Sequence, residues 1–279
     1  MNLQELCQTF VNLRKRWPSD WPGLTFVVNS ALAKLGHVQG APLQPRLQAL
    51  LDCVLLVSEC VERDGAKRAK NSQEPSYHSR LHIADTIVAM TALLRAQRLA
   101  NGHSPHSPLS RHEWQMFLAI CSHDLFHSGK INQYAAQIEG QSVASLVPLM
   151  QKCKVHAADQ RAIRRMILQT DPAMVKGSHL RVRSIAFSEK SLPCQIVMVQ
   201  EADIMASSLP TIGDDLTQKL SQEWREVDPL RSKSLLSKQA RIFFLKEFAL
   251  FSSPASRYLG IQTVIDHQIH ALTQASSRA

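Results

Sequence analysis

Apolar residues recur every three to four positions along most of the chain, the period of an α-helix with one buried face. Leu47, Leu50, Leu51, Val54 and Leu55 form one such stripe, and Ile87, Met90, Leu93 and Leu94 form another. The stretch Asn101 to Pro108 carries the turn residues of a loop. It runs into Ser110-Arg-His-Glu113, which has the spacing of a capping box and opens a helix through Trp114, Phe117 and Leu118. The same periodicity predicts helices at about 137–153, 158–170, 192–208, 211–226, 234–252 and 256–273. No alternation of period two is long enough for a sheet, so the expected fold is all-α, a multi-helix bundle. The polar stretch Asp64 to Ser76, with Gly65, Lys67, Arg68, Lys70 and Pro75, interrupts the pattern as a linker or surface loop. It divides an N-terminal helical region, 1–65, from the remaining residues 66–279.

Composition adds to this picture without redirecting it. With 10 glycines, 13 prolines and 44% hydrophobic residues in 279 positions, the chain can form long helices around a sizeable core. The formal charge of +9, from 32 Lys+Arg against 23 Asp+Glu, suits an anionic partner such as a nucleotide. It is not gathered into a nucleic-acid footprint, because Arg14-Lys15-Arg16, Arg161 with Arg164 and Arg165, and Arg181 with Arg183 are short and scattered. The six cysteines contain no C-x-x-C pair and read as reduced thiols on helical faces. The strongest apolar run, Leu50 to Val61, is broken by Asp52 and Glu59, and the first residues carry no basic leader. A cytoplasmic protein with neither a nucleic-acid nor a membrane partner is expected.

The candidate chemistry lies in a few placed residues. His78 and His82 stand four apart at a predicted helix start, which would put both on one face. His123 and Asp124 close the apolar run Met116 to Cys121, with His127 one turn further on. Asp203 follows Ile196 and Val199 on a buried stripe. Alone, each reads as a hydrogen-bonded core residue or a tie between helices. Together they change the reading, because two carboxylates in a core without positive charge cost several kcal/mol, which a divalent cation removes. Two imidazoles and two carboxylates suit Zn, Mn, Fe or, with more oxygen, Mg. No G-x-S-x-G points to a serine nucleophile.

Four blocks in order carry a resemblance. His123-Asp-Leu-Phe-His-Ser-Gly-Lys-Ile-Asn-Gln-Tyr134 resembles the signature of class I cyclic-nucleotide phosphodiesterases, within the HD superfamily of metal-dependent phosphohydrolases. Tyr77-His78-Ser-Arg-Leu-His82-Ile-Ala-Asp85 resembles the family's Tyr-His-Asn-x-x-His-Ala-x-Asp motif. Thr170-Asp171 followed by His179, and Glu201-Ala-Asp203-Ile-Met-Ala, resemble its last two blocks. The similarity covers about residues 70–255. It implies an HD/PDEase-like bundle with a metal site in its core, in which His82, His123, Asp124 and Asp203 bind the tighter ion, Zn, and Asp124 bridges to Mg or Mn. A hydroxide between the ions would attack phosphorus, and His78 would protonate the departing sugar oxygen. His127, Asn132, Thr170 and Asp171 would orient the ligands, and Gln239 and Phe243 would hold the base.

The sequence departs from the family pattern at three places. Ser79 replaces the motif's Asn. Ala144-Ser-Leu-Val-Pro148 stands where the family has Glu-x-His-His, which leaves the second metal site open. The aligned base-clamp position is Ile242, with Phe243 one residue late. The reaction implied is hydrolysis of a 3′,5′-cyclic nucleotide, cAMP or cGMP, to the 5′-monophosphate, an activity of signal transduction. The alternatives are an HD-type phosphohydrolase on another nucleotide phosphoester and a catalytically silent nucleotide- or partner-binding module.

Overall fold

The computed structural model describes residues 2–274, and among them it contains helices and no strand. The first three helices are α1 (Leu3–Arg16), α2 (Leu24–Lys34) and α3 (Pro45–Lys70). α1 starts at a capping box in which Asn2 and Glu5 satisfy each other's backbone N–H groups. α3 runs straight through the polar stretch expected to be a linker or loop. Asp64 and Arg68 pair one turn apart at 2.7 Å, and Gly65 is buried where the Arg80 side chain crosses the helix. The expected division at 65/66 therefore falls inside a helix. Residues 1–65 share one core with the rest, because Leu6, Phe10, Val28, Leu32 and Val54 join the same buried cluster as Ile87 and Met198.

α4 (Arg80–Ala100) and α5 (Arg111–Ser122) follow, and the predicted Ser110–Glu113 capping box is present. Next come α6 (Gln137–Lys152), α7 (Ala157–Leu168), α8 (Pro172–Arg183) and α9 (Leu192–Ser208). The helical period in the sequence does not mark α8. Its start is nonetheless written locally, in the Asp171 N-cap that accepts Ala173 N–H and in Pro172 at the first helical position. The chain ends with α10 (Gly213–Trp224), α11 (Pro229–Leu235), α12 (Lys238–Glu247), α13 (Pro254–Tyr258) and α14 (Ile261–Gln274). The single helices expected at 234–252 and 256–273 are thus interrupted. The Ser237 cap separates α11 from α12, and left-handed Gly260 (φ +71°) separates α13 from α14.

α4 and α9 lie against each other at the centre. α1, α2, α5 and α13 pack on α4, and α5, α7, α8 and α10 pack on α9. Both central helices are buried almost all round, so their sequences lack a polar face. No described helix is long and apolar enough to cross a membrane.

Candidate metal centre

Three helices deliver the donors to one point. His82 sits in the first turn of α4, His123 caps the end of α5 with Asp124 next to it, and Asp203 lies in the second half of α9. His82 Nε2 is 3.3 Å from Asp124 Oδ2 and 3.4 Å from Asp203 Oδ1. His123 Nε2 is 3.3 Å and 3.2 Å from the same two oxygens. Four donors held tetrahedrally at about 2.0–2.2 Å from a cation stand roughly 3.3–3.6 Å apart. The four imidazole–carboxylate separations match this, with His82, His123 and Asp203 grouping together and Asp124 also grouping with His78 and His127. His123 Nδ1 must donate to the Ile120 carbonyl at 2.8 Å, so in the neutral ring Nε2 carries the lone pair, buried and without a hydrogen bond. An orphaned lone pair facing two carboxylates is what a cation satisfies.

Electrostatics couple the same four residues. Burial opposes the imidazolium at His82, but Asp124 and Asp203 outweigh it and raise its pKa to about 9. Burial likewise works against His123⁺, and the same carboxylates carry it well above its ordinary value. Burial would raise Asp203, yet His123 and His82 bring it down to about 2, and Asp124 also falls well below the usual carboxylate range. Protonated imidazoles and ionised carboxylates thus stabilise one another across the cluster.

His78 and His127 border this cluster. The expectation that His78 shares a helical face with His82 is corrected by the structure. α4 begins at Arg80 after the Ser79 cap, and His78 stands ahead of it. It is held there by Glu223 of α10, which faces His78 Nδ1 at 2.5 Å and accepts the backbone N–H groups of Tyr77 and His78 at 2.7 and 3.0 Å. Burial would raise Glu223, but His78 and these hydrogen bonds lower it to about 2, so it is ionised. The His78 ring stacks on His127 with centroids 3.7 Å apart. His127 Nδ1 accepts from Gly129 N–H at 3.0 Å, which places the proton of a neutral imidazole on Nε2. Burial first, and the nearby His78 charge second, keep His127 neutral by lowering its pKa to about 3. A ring nitrogen of each of these histidines lies within 4.8 Å of an Asp124 oxygen, but His127 can offer only a donor there.

The loop after Asp124 is fixed from outside. Phe126 adopts a left-handed conformation (φ +62°) that turns His127 back, and Arg68 of α3 donates to the carbonyls of His127 and Phe126 at 2.8 and 3.3 Å. Asn132 bridges Ile138 N–H and Glu139 at 2.8 and 2.9 Å, while Asp171 accepts from Ala136 and Ala173 N–H. Thr170 donates to the Ile167 carbonyl. These three residues brace the loop and helix ends around the cluster. Tyr77 covers His82, its ring 4.8 Å away, and its hydroxyl meets Ser207 at 2.8 Å. Gln239 and Phe243 are exposed on α12, and Phe243 packs edge-on against Phe248. Among the described residues, no hydrogen bond or ring contact joins either to the cluster. Ala240, Arg241 and Phe244 instead face inward, towards a cavity shared with Tyr77 and Ser207. Glu223 is the residue that sequence reasoning missed. It lies 145 positions from His78 and belongs to no local spacing.

In comparisons with known proteins, no family model and no curated sequence matches the chain. A solved structure does. The Leishmania phosphodiesterase structure of LmjPDEB1 in complex with IBMX superposes with a TM-score of 0.65, over 100% of this chain and 92% of that one, at 13% sequence identity. The fold is that of a class I phosphodiesterase catalytic domain. At this identity the likeness speaks for the architecture alone.

Proposed function

We propose that the protein is a metal-dependent phosphodiesterase that hydrolyses 3′,5′-cyclic nucleotides to 5′-monophosphates. The observation that carries this reading is the pairing of two sites side by side. His82, His123, Asp124 and Asp203 form a four-donor cluster, and the carboxylate-held His78 stands beside Asp124. The four residues would hold one divalent cation, of which zinc matches the mixed nitrogen and oxygen set. When bound, such an ion supplies Lewis acidity that activates water and offsets charge building on phosphorus. A second ion, Mg or Mn, would rest on Asp124. α6 offers it no imidazole, because the family's histidines are replaced by Ala144–Pro148 and Leu146 is buried in the core.

The chain's own residues divide the remaining work. Glu223 orients the His78 ring through Nδ1, so that the other nitrogen can carry a proton to the leaving oxygen. His127 stacks behind it and, with its proton on Nε2, does not compete for the metal. The two arginines nearest the cluster are already engaged, while Lys130 is exposed on the following loop. Arg80 pairs with Glu62 and Glu74, and Arg68 pairs with Asp64 and two carbonyls. A dianionic monoester would call for a free cation here, whereas a monoanionic diester does not.

The exposed positions of Gln239 and Phe243 favour a second reading, a phosphohydrolase on another nucleotide phosphoester with no base clamp of the family type. One assay separates the two. With metal content measured alongside, kcat/KM for cAMP and cGMP should exceed that for the matching 5′- and 3′-monophosphates. Phosphate release from monophosphates with no turnover of either cyclic compound would establish the second reading instead.

A further inference from the structure

A cavity of about 310 Å³ opens between the C-terminal end of α8, the segment leading to α9, and the stretch joining α12 to α13. Val182, Ile185, Phe187 and Phe251 supply its apolar lining. Arg183, Arg257 and Ser252 supply its polar groups, and no carboxylate lines it. Arg183 and Arg257 are exposed at its mouth and have no acidic partner among the described residues. Arg257 donates one N–H to the Ser252 carbonyl at 2.7 Å, which leaves its other donors available.

The floor of the cavity is rigid. Ser252 N–H donates to buried Glu201 at 2.5 Å, and the neighbouring Ser253 gives Glu201 both its N–H and its hydroxyl. Ser252 Oγ also meets Nδ1 of His179, a fully buried ring whose Nε2 has no partner. Burial, and then the Arg183 charge, lower the His179 pKa to about 4, so the ring brings no charge of its own to the site at neutral pH. The recess joins convergent polar groups to a smaller apolar lining, and ~300 Å³ lies at the lower end of the size range of small-molecule sites.

We propose that this cavity is a second binding site, taking a small organic anion with an apolar body. The body would lie against Ile185 and Phe187, and a carboxylate, sulfonate or phosphate head between Arg183 and Arg257. None of its lining residues belongs to the metal cluster, so the proposal stands independently of the activity assigned to that cluster.

The probe is 2-naphthalenesulfonate, which has no phosphoester to hydrolyse, titrated calorimetrically into the metal-loaded protein. One-to-one saturable binding is expected, with sulfate alone and neutral 2-naphthol both much weaker. Arg183→Gln and Arg257→Gln should each weaken it about tenfold or more, since each removes a charge-assisted contact. Ile185→Glu, at a position already 44% exposed, should do the same by placing a carboxylate at the mouth. All three variants should keep the parent's circular dichroism and metal content. Absence of saturable binding would overturn the proposal. So would binding that these variants leave unchanged, binding lost on chelating the metal, or equal affinity for sulfate alone.

Discussion

At His123 the Ile120 carbonyl engages Nδ1–H and leaves Nε2 as a lone pair, whereas at His127 the Gly129 N–H occupies Nδ1 and leaves Nε2 as a donor. One residue type thus presents an acceptor nitrogen in one place and a donor in the other, through a single backbone contact. His78 is a third case, with a carboxylate on Nδ1 and its backbone N–H fixed by the same Glu223. Asp203→Ala removes an oxygen that faces both ligand imidazoles, so it should abolish activity and deplete bound metal, as read by elemental analysis. His78→Ala should leave the metal bound yet slow turnover by roughly 10²–10⁴-fold, a defect that shrinks for a nitrophenyl ester whose leaving oxygen needs no proton. Loss of metal from His78→Ala would make it a ligand instead. Glu223→Ala should retain metal and lose roughly 10–100-fold in kcat, because it acts only by orienting His78.

The helices that carry these residues are joined by ties that local pattern does not reveal. Arg14 of α1 reaches Asp85 of α4 with two hydrogen bonds of 2.9 and 2.7 Å, and touches Asp215 at the start of α10. Asp85 is fully buried, so Arg14→Met would strand its carboxylate. A loss of about 3–5 kcal/mol is expected in urea unfolding, largely recovered in Arg14→Met with Asp85→Asn. Gly65 makes a second tie. A methyl there would sit 2.6 Å from Arg80 Cγ and Cδ, whose guanidinium is locked by Glu62 and Glu74, so Gly65→Ala should cost about 1–3 kcal/mol. Gly140, in the first turn of α6 with nothing near its absent Cβ, should instead stabilise by roughly 0.5–1 kcal/mol as Ala. The helical periods and the Ser110–Glu113 cap could be read in the sequence because they are local. His82, His123, Asp124 and Asp203 could be picked out because carboxylates and imidazoles on apolar stripes are costly without a partner. Glu223 and Arg14 could not, because Glu223 finds His78 across 145 positions and Arg14 finds Asp85 across 71, with no periodicity to mark either contact. Gln239 and Phe243 were legible as a motif, yet α12 turns Ala240, Arg241 and Phe244 inward in their place.

For the whole molecule, the bare centre neutralises itself, and this sets how stability should depend on metal and pH. Without a cation, His82 has a pKa of about 9 against an ordinary 6.5, so its contribution to stability is complete below 6.5 and is lost as pH rises through 9. Asp203, brought down to about 2 from 3.8, contributes above 3.8 and loses that contribution as pH falls through 2. The metal-free centre is therefore most stabilising between about pH 4 and 6.5, where imidazoliums and carboxylates coexist. A bound cation needs the imidazoles deprotonated, so binding releases protons and strengthens as pH rises over the range in which the bare centre weakens. The metal-free protein should remain folded at pH 6, with a Tm only slightly below that of the loaded protein. Towards pH 9 the gap should widen, because ligand present at ~1,000 times its Kd stabilises the native state by about 4 kcal/mol. Scanning calorimetry of chelator-treated and metal-reconstituted protein across pH 6–9 measures this directly. A gap that stays constant or narrows with rising pH would show that the four donors do not hold the ion as imidazole and carboxylate ligands.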